Sequence, residues 1–285
     1  MYEEFYNFEE KPFSLLPDPG FLYLTKKHRM ALTMLQYGLI NQAGFTVVVG
    51  EIGAGKTTLV RQLLKDVDQD VTIGLVSNTH GPFSEVMQWI LLAFNLDYRG
   101  KDKVELFHAF AEFMIEEYTQ NRRTVLIIDE AQNLSPEALE ELRMLSNINA
   151  DKDQLLQLIL IGQPGLKDTL GLPQLQQFAQ RVAVDYYLGA MDVEETWGYI
   201  QHRVSIAGGS PDLFDTRACA AVHYYARGVP RLVNVLCDAA LVFGYAEERE
   251  RIDAELVCRV VRDRSTGGIF GRPGASPPAA PAPLN

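Results

Sequence analysis

Residues 45–58 read Phe45-Thr-Val-Val-Val-Gly50-Glu-Ile-Gly-Ala-Gly-Lys56-Thr57-Thr58. The opening run of β-branched and apolar residues predicts a buried strand, and the glycine-rich stretch after it matches the phosphate-binding pattern G-x-x-x-x-G-K-[ST]. In such a loop, backbone N–H groups surround phosphate oxygens, the lysine reaches the β- and γ-phosphates, and the threonine hydroxyl is available to Mg²⁺. The predicted phosphate-binding residues are Gly50, Glu51, Ile52, Gly53, Ala54, Gly55, Lys56, Thr57 and Thr58.

A second apolar strand ends on two carboxylates, in the stretch Thr124-Val-Leu-Ile-Ile-Asp129-Glu130. Ligands of open α/β sheets bind at the carboxyl ends of the strands. We therefore expect Asp129 to hold Mg²⁺ together with Thr57, and Glu130 to orient or deprotonate the attacking water. No Asn-Lys-x-Asp element for guanine follows this strand, so the sequence favours ATP over GTP.

Two further polar residues flank later predicted strands, one after its strand and one before. Gln163 follows the apolar run Leu156–Ile161 and can hydrogen-bond the γ-phosphate or the water; the alternative is an ordinary loop amide. Arg181 precedes the last strand, where it can reach into a neighbouring subunit's site and stabilise transition-state charge, an effect of about 10³–10⁵ in rate. An ordinary surface arginine is the alternative for Arg181.

Gly228-Val-Pro-Arg231 places a turn before a predicted helix and an arginine in that helix's first turn. The helix dipole favours acidic side chains at this end, so a cation here is poorly placed. We therefore expect Arg231 to have an anionic partner, and we expect that partner to be the bound nucleotide.

The rest of the chain alternates predicted strands and helices, which indicates a parallel, helix-covered α/β sheet. The predicted strands are Phe45–Val49, Val71–Ser77, Thr124–Asp129, Leu156–Ile161 and Val182–Leu188. The predicted helices between them are Lys56–Leu64, Ser84–Phe94, Lys103–Thr119 and Pro136–Ser146. After about residue 190 the pattern becomes helical, with predicted helices at Asp192–Ile206, Asp215–Ala226, Pro230–Ala246 and Asp253–Arg262. The three aspartates that begin these segments are expected to be N-caps.

Composition excludes several classes of protein. The 285 residues carry 26 basic and 37 acidic side chains, a formal charge of −11, which disfavours broad adhesion to nucleic acid. No apolar run approaches the length needed to span a bilayer, and the first residues lack the pattern of a secretory signal. Cys219, Cys237 and Cys258 lack the spacing of a metal or redox motif. We expect a cytoplasmic protein, peripheral at the inner membrane at most through a partner.

The predicted organisation has four parts. Residues 1–44 form an N-terminal segment near the nucleotide together with the first helix, residues 45–190 the α/β core, and residues 191–264 a helical lid. Residues 265–285, rich in proline, alanine and glycine, form a tail that cannot build a core and is expected to be disordered.

Several longer strings resemble one family, the AAA+ ATPases of the general secretion pathway protein A (ExeA) type, and most closely the secretion ATPases of PEP-CTERM/exosortase loci. The resemblance extends from residue 1 to about residue 264. The strings that carry it are Met1-Tyr-Glu-Glu-Phe-Tyr, Lys11-Pro-Phe-Ser, Pro17-Asp-Pro-Gly-Phe-Leu-Tyr, Gly50–Thr58, Asp129-Glu-Ala-Gln-Asn-Leu, Glu140-Glu-Leu-Arg-Met-Leu-Ser-Asn, Ile161-Gly-Gln-Pro, Gln180-Arg-Val and Gly228-Val-Pro-Arg.

This resemblance implies a P-loop NTPase of the AAA+ class: a three-layer αβα sandwich whose five-stranded parallel sheet has the order 5-1-4-3-2, followed by a small all-α lid. It also implies sensor-1, arginine-finger and sensor-2 roles for Gln163, Arg181 and Arg231, and a position near the nucleotide base for residues 17–23.

Two functions follow from these expectations. The first is Mg²⁺-dependent ATP hydrolysis by a homo-oligomeric ring or filament, acting as a motor or switch in a bacterial secretion or exopolysaccharide–protein-sorting (PEP-CTERM) system, with an envelope or secretion protein as partner. The alternative is an ATP-dependent DNA-binding regulator of the transposition-helper or initiator type. That alternative requires a basic surface or a helix-turn-helix unit, and the acidic composition offers neither.

Overall fold

The computed structural model describes residues 1–16, 18–67, 70–77, 83–150 and 153–267. The chain forms two compact units. The first comprises Met1–Lys27, Gly53–Thr58 and the chain from Gly189 onward, and the second comprises His28–Ile52 and Leu59–Leu188. The N-terminal segment and the end of the glycine-rich loop therefore group with the C-terminal helices, a division that does not follow the sequence ranges 1–44 and 45–190.

The second unit is built on a sheet of five parallel strands. Two short antiparallel strands, Asn149–Ala150 and Asp153–Gln154, form a separate two-stranded sheet. The strands are β1 (Phe45–Gly50), β2 (Val71–Val76), β3 (Arg123–Ile128), β4 (Asn149–Ala150), β5 (Asp153–Gln154), β6 (Leu156–Gly162) and β7 (Val182–Leu188). The sheet order is β2-β3-β6-β1-β7. When the five strands of this sheet are numbered 1 to 5 along the chain and the sheet is read from β7, this is the predicted order 5-1-4-3-2. The predicted α/β fold class is confirmed.

The helices of this part of the chain are α1 (Lys26–Ile40), α2 (Lys56–Lys65), α3 (Phe83–Ala93), α4 (Lys103–Thr119), α5 (Pro136–Leu145), α6 (Pro164–Leu170) and α7 (Gln176–Ala179). They cover both faces of the sheet. Phe45, Val47 and Val49 of β1 share a buried apolar cluster with α3, α4 and α5, whereas Thr46 of the same strand faces Gly38 of α1. Alternate β1 residues thus meet helices on opposite sides, which is the three-layer arrangement.

The first unit is mainly helical after residue 189. Its helices are α8 (Val193–Ile206), α9 (Thr216–Ala226), α10 (Pro230–Ala246) and α11 (Ala254–Gly267). The side chains of Asp192, Asp215 and Asp253 each accept a backbone N–H from the first turn of α8, α9 and α11, as the sequence predicts. Three carboxylates thus satisfy donors that have no partner within the helix.

The first residues of the chain pack on these helices. The Tyr2 hydroxyl donates a hydrogen bond of 2.5 Å to Asp238, and the side chain of Asn234 donates one of 3.2 Å to the Ser14 carbonyl. Arg203, which is buried, donates to the Pro12 carbonyl and stacks over the ring of Phe21. The N-terminal segment is therefore part of the helical unit's core.

Gly228 is expected to be among the glycines least tolerant of a side chain. Its φ is +68°, and an added Cβ would lie 2.0 Å from the Met191 carbonyl oxygen, on the segment that leads into α8. We expect Gly228→Ala to lower the free energy of unfolding by about 1–3 kcal/mol or more, because left-handed strain and a backbone clash act together. Thermal unfolding measures this effect.

Gly165→Ala is the matched control for that substitution. Gly165 lies in the first turn of α6, and an added Cβ there meets no atom within 4 Å. Alanine should be neutral or slightly stabilising at this position, since it restricts the unfolded chain. If Gly228→Ala melted at the parent temperature, the backbone contact between Gly228 and Met191 would be contradicted.

Two predictions concern segments that the structure describes only in part. Pro17, in the segment expected near the base, lies outside the described residues, and so do residues 268–285 of the predicted tail 265–285, whereas residues 265–267 belong to α11. None of the helices in the described ranges combines the length and the hydrophobicity of a membrane-spanning segment.

Candidate functional site

The glycine-rich loop leaves β1 through a close packing contact. All six residues of β1 are buried, and a Cβ added at Gly50 would lie 2.8 Å from the Leu188 carbonyl oxygen at the end of β7. Gly53 and Gly55 then have φ values of +79° and +94°, which are left-handed conformations that glycine adopts readily. Turns that contain such residues commonly form a concave nest of backbone N–H groups, which suits an anion.

Helix α2 begins immediately at Lys56. Its first turn contains no acidic residue, so no carboxylate of that turn competes for the helix N-terminus. The Lys56 side chain is buried, with 6% of its surface exposed, whereas Thr57 is exposed to solvent. A buried cation at the start of a helix, directly after a glycine-rich turn, is an arrangement suited to phosphate.

Arg231 lies against this loop. Its backbone N–H donates a hydrogen bond of 3.3 Å to the Gly53 carbonyl, and a Cβ added at Gly53 would lie 2.5 Å from the Arg231 Cβ. Among the residues that the structure describes, no carboxylate forms an ion pair with the exposed Arg231 side chain. The structure therefore brings the predicted sensor-2 arginine to the glycine-rich loop.

The two predicted acidic residues follow β3 in different environments. Asp129 is 5% exposed, and its Oδ1 accepts the backbone N–H of Glu130 at 2.9 Å. Glu130 is half-buried and has φ 55° and ψ 37°, the left-handed conformation in a residue that has a Cβ. Such a conformation costs about 1–2 kcal/mol and re-aims the side chain of Glu130 relative to the strand direction.

Gln163 lies beside Glu130, at the end of the neighbouring strand β6. Its side-chain Nε2 donates a hydrogen bond of 3.0 Å to Glu130 Oε2. Gln132 donates to the same carboxylate oxygen at 2.6 Å, and its own Oε1 accepts the Gln163 backbone N–H at 2.9 Å. The structure therefore brings together the predicted base, the predicted polar sensor and a third residue, Gln132, which has no predicted role.

Arg181 lies at the opposite end of the parallel strands, directly before β7 begins. Val182, the next residue, pairs with Phe45 at the start of β1, and Leu188 pairs with Gly50 at its end. The seven residues of β7 span roughly 20 Å at the usual rise of a strand, which separates Arg181 from the strand ends that carry Gly50, Asp129 and Gln163. Arg181 instead donates a hydrogen bond of 3.1 Å to Ser146 and lines a cavity of about 650 Å³ with Asn41 and Asp153.

Comparisons with known proteins identify similar sequences and structures. Residues 40–170 match the family model described as "AAA domain". The chain is 35% identical over 253 residues to general secretion pathway protein A of Aeromonas hydrophila, a match that covers 88% of this chain and 46% of the relative. The chain therefore spans less than half the length of this relative.

Solved structures show the same fold. The ORC2 protein of Aeropyrum pernix superposes with a TM-score of 0.65 at 18% identity, over 90% of this chain and 72% of that protein. Cdc6p from Pyrobaculum aerophilum gives a TM-score of 0.67 at 17% identity, over 87% of this chain and 71% of that protein. The chain has the α/β P-loop NTPase fold, with similarity to the AAA domain over residues 40–170 and to general secretion pathway protein A over most of its length.

Proposed function

We propose that this chain binds ATP with Mg²⁺ and hydrolyses it to ADP and phosphate. The observation that carries the proposal is the conformation of the glycine-rich loop: two left-handed glycines, Gly53 and Gly55, followed at once by the buried Lys56 at the start of α2. In this role Lys56 neutralises the β- and γ-phosphates while loop N–H groups bind their oxygens. The similar ORC2 structure was solved with ADPNP and ADP, which supports a nucleotide.

The residues proposed for Mg²⁺ have suitable chemistry. Thr57, an exposed residue, has a hydroxyl and Asp129 has a carboxylate, and oxygen atoms are the ligands that Mg²⁺ prefers. When bound, the ion supplies positive charge to the phosphate oxygens. Asp129 already holds the Glu130 backbone N–H, so it also fixes the turn that carries the proposed base.

Glu130 and Gln163 are proposed to act on the attacking water. The Glu130 carboxylate takes a proton from the water, and the Gln163 amide orients the water or the γ-phosphate. Their side chains are within hydrogen-bond distance of one another, so both can address one reacting centre. Arg231, next to Gly53, supplies further positive charge toward the phosphates.

Arg181 is proposed to serve a neighbouring copy in a homo-oligomer. Its distance from its own strand ends along β7 favours action in trans, as an arginine finger. We expect hydrolysis per subunit to rise with protein concentration, and Arg181→Ala to lower the rate at high concentration by about 10³-fold or more while ATP binding is kept. Steady-state phosphate release over a concentration series measures this.

Arg99→Ala is a control for that variant, because Arg99 is also an exposed arginine of the same unit. It should retain the parent's concentration dependence. Concentration-independent activity that Arg181→Ala leaves unchanged would contradict the shared site, although it would leave ATP hydrolysis itself in place.

The biological setting is proposed from the relative. Similarity to general secretion pathway protein A supports a role in secretion. Within that role, the proposal is a motor or switch in a secretion or PEP-CTERM protein-sorting system that acts with an envelope partner at the inner membrane. Replacing the native gene by the Glu130→Gln variant tests this role. Unchanged export and surface-polymer production in that strain would contradict it, whereas ATP-dependent, salt-sensitive DNA binding by the purified chain would favour a regulator.

A further inference from the structure

Gln132 uses both ends of its side-chain amide. Nε2 donates a hydrogen bond of 2.6 Å to Glu130 Oε2, and Oε1 accepts the backbone N–H of Gln163 at 2.9 Å. Gln132 lies in the short turn Ala131–Asn133, just after β3, and Gln163 follows β6, which pairs with β3. One side chain therefore joins the turn that carries the proposed base to the neighbouring strand end.

The surroundings leave little freedom for this bridge. A Cβ added at Gly162, the last residue of β6, would lie 3.1 Å from Gln132 Oε1 and 2.8 Å from Leu166 Cδ2. Ala131, on one side of Gln132 in the chain, is fully buried. The amide is thus held between the glycine that ends β6 and the turn after β3.

The bridge gives the Glu130 carboxylate a defined direction. Glu130 Oε2 accepts two amide N–H groups, from Gln132 and from Gln163. Two donors on one oxygen fix the orientation of a carboxylate that a strained, left-handed backbone already re-aims. Because Gln132 also holds the backbone N–H of Gln163, the base and the polar sensor are oriented by the same side chain.

We propose that Gln132 is a positioning residue for ATP hydrolysis, which orients Glu130 and Gln163 as one unit. The proposal rests on the proposed ATPase function and assigns to that site a residue outside its expected phosphate, Mg²⁺ and sensor positions. Gln132 itself need not touch the nucleotide. Its role is distinct from a merely structural one, in which it ties β3 to β6 without affecting the chemical step.

Two substitutions separate these roles. Gln132→Met keeps a similar length but removes both hydrogen bonds. We expect it to lower kcat by about 10- to 100-fold, because small displacements of catalytic groups have effects of this size, while the Kd for ADPNP stays within about twofold of the parent. Gln132→Glu keeps an acceptor for the Gln163 N–H but places a second carboxylate against Glu130, so its kcat should fall further than that of Gln132→Met.

Asn133→Ala is the matched control. Asn133 lies in the same turn, and its side chain makes no hydrogen bond with any residue that the structure describes. Its kcat should equal that of the parent. All variants are first compared by thermal unfolding, and Gln132→Glu, which is isosteric with the native residue, is the second test if Gln132→Met does not fold.

A double-mutant cycle gives the decisive readout. In a Glu130→Gln background, the fold loss caused by Gln132→Met should be at least about fivefold smaller than in the parent, since the carboxylate that it positions is already absent and only the orientation of Gln163 remains to be lost. Equal losses in both backgrounds, or a parent-like kcat for Gln132→Met, would overturn the positioning role. A parent chain that hydrolyses no ATP would contradict the proposed function and this role with it, whereas an active parent with additive effects contradicts this role alone.

Discussion

Glu130→Gln is expected to bind ATP as tightly as the parent while its rate of hydrolysis falls by about 10²–10⁴. An amide has the same shape as the carboxylate but cannot take a proton from water. The amide oxygen can still accept the hydrogen bonds that Gln132 and Gln163 donate in the parent, so the local structure should survive. Single-turnover phosphate release gives the rate, and equilibrium binding of labelled ATP gives the affinity.

Glu112→Gln is a suitable control, because this glutamate lies on the exposed surface of α4. Its hydrolysis rate should match the parent's. The assignment of Glu130 as the base would be wrong if Glu130→Gln turned over ATP at the parent rate. Loss of ATP binding in this variant would show instead that Glu130 contributes to the ground-state complex.

Lys56→Ala is expected to have a large effect of another kind, on the affinity for ATP. Removing a buried cation from its phosphate partners costs about 2–5 kcal/mol, so the Kd for ATP should rise by roughly 30-fold or more. The burial of Lys56 supports this magnitude, because solvent screens the interaction little. Isothermal titration calorimetry with ADPNP measures the change without interference from hydrolysis.

Lys65→Ala controls for the charge and for the helix, since Lys65 is an exposed lysine at the end of the same helix α2. It should bind ADPNP like the parent. Equal affinities for the parent and Lys56→Ala would place the phosphates away from the glycine-rich loop and contradict the proposed site.

The sheet could be predicted from the sequence because its signal is local. Strands that are buried on both faces have sequences of consecutive apolar residues. The glycine pattern indicates where β1 ends and α2 begins. Predicted and observed ends of strands such as Val182–Leu188 coincide, and Phe45–Val49 is extended by one residue to Gly50. The strand order, by contrast, is implied only by the family resemblance.

The details of the site depend on contacts between residues that are distant in sequence. Gln132 contacts the Gln163 backbone only because β3 and β6 are neighbours in the sheet, and no local pattern around Gln132 signals this bridge. The left-handed conformation of Glu130 could not be predicted from the sequence either, since it occurs in a residue other than glycine. Arg231 is an intermediate case: its unfavourable place at a helix start indicates a partner, and the structure adds the contact with Gly53.

The packing of the N-terminal segment could not be predicted for the same reason. Tyr2 contacts Asp238, and Asn234 contacts the Ser14 carbonyl, across almost the whole length of the chain. The sequence range 1–44 joins this segment to helix α1, whereas the structure places Met1–Lys27 in the helical unit.

The most direct test of ATP hydrolysis at the glycine-rich loop is phosphate release from ATP by the purified parent chain, with Mg²⁺ and after its chelation, alongside Lys56→Ala. The proposal predicts phosphate release that requires Mg²⁺ and is lost in Lys56→Ala. The rate of release per subunit should increase with protein concentration. No release by the parent at any concentration, or equal release by Lys56→Ala, would contradict it.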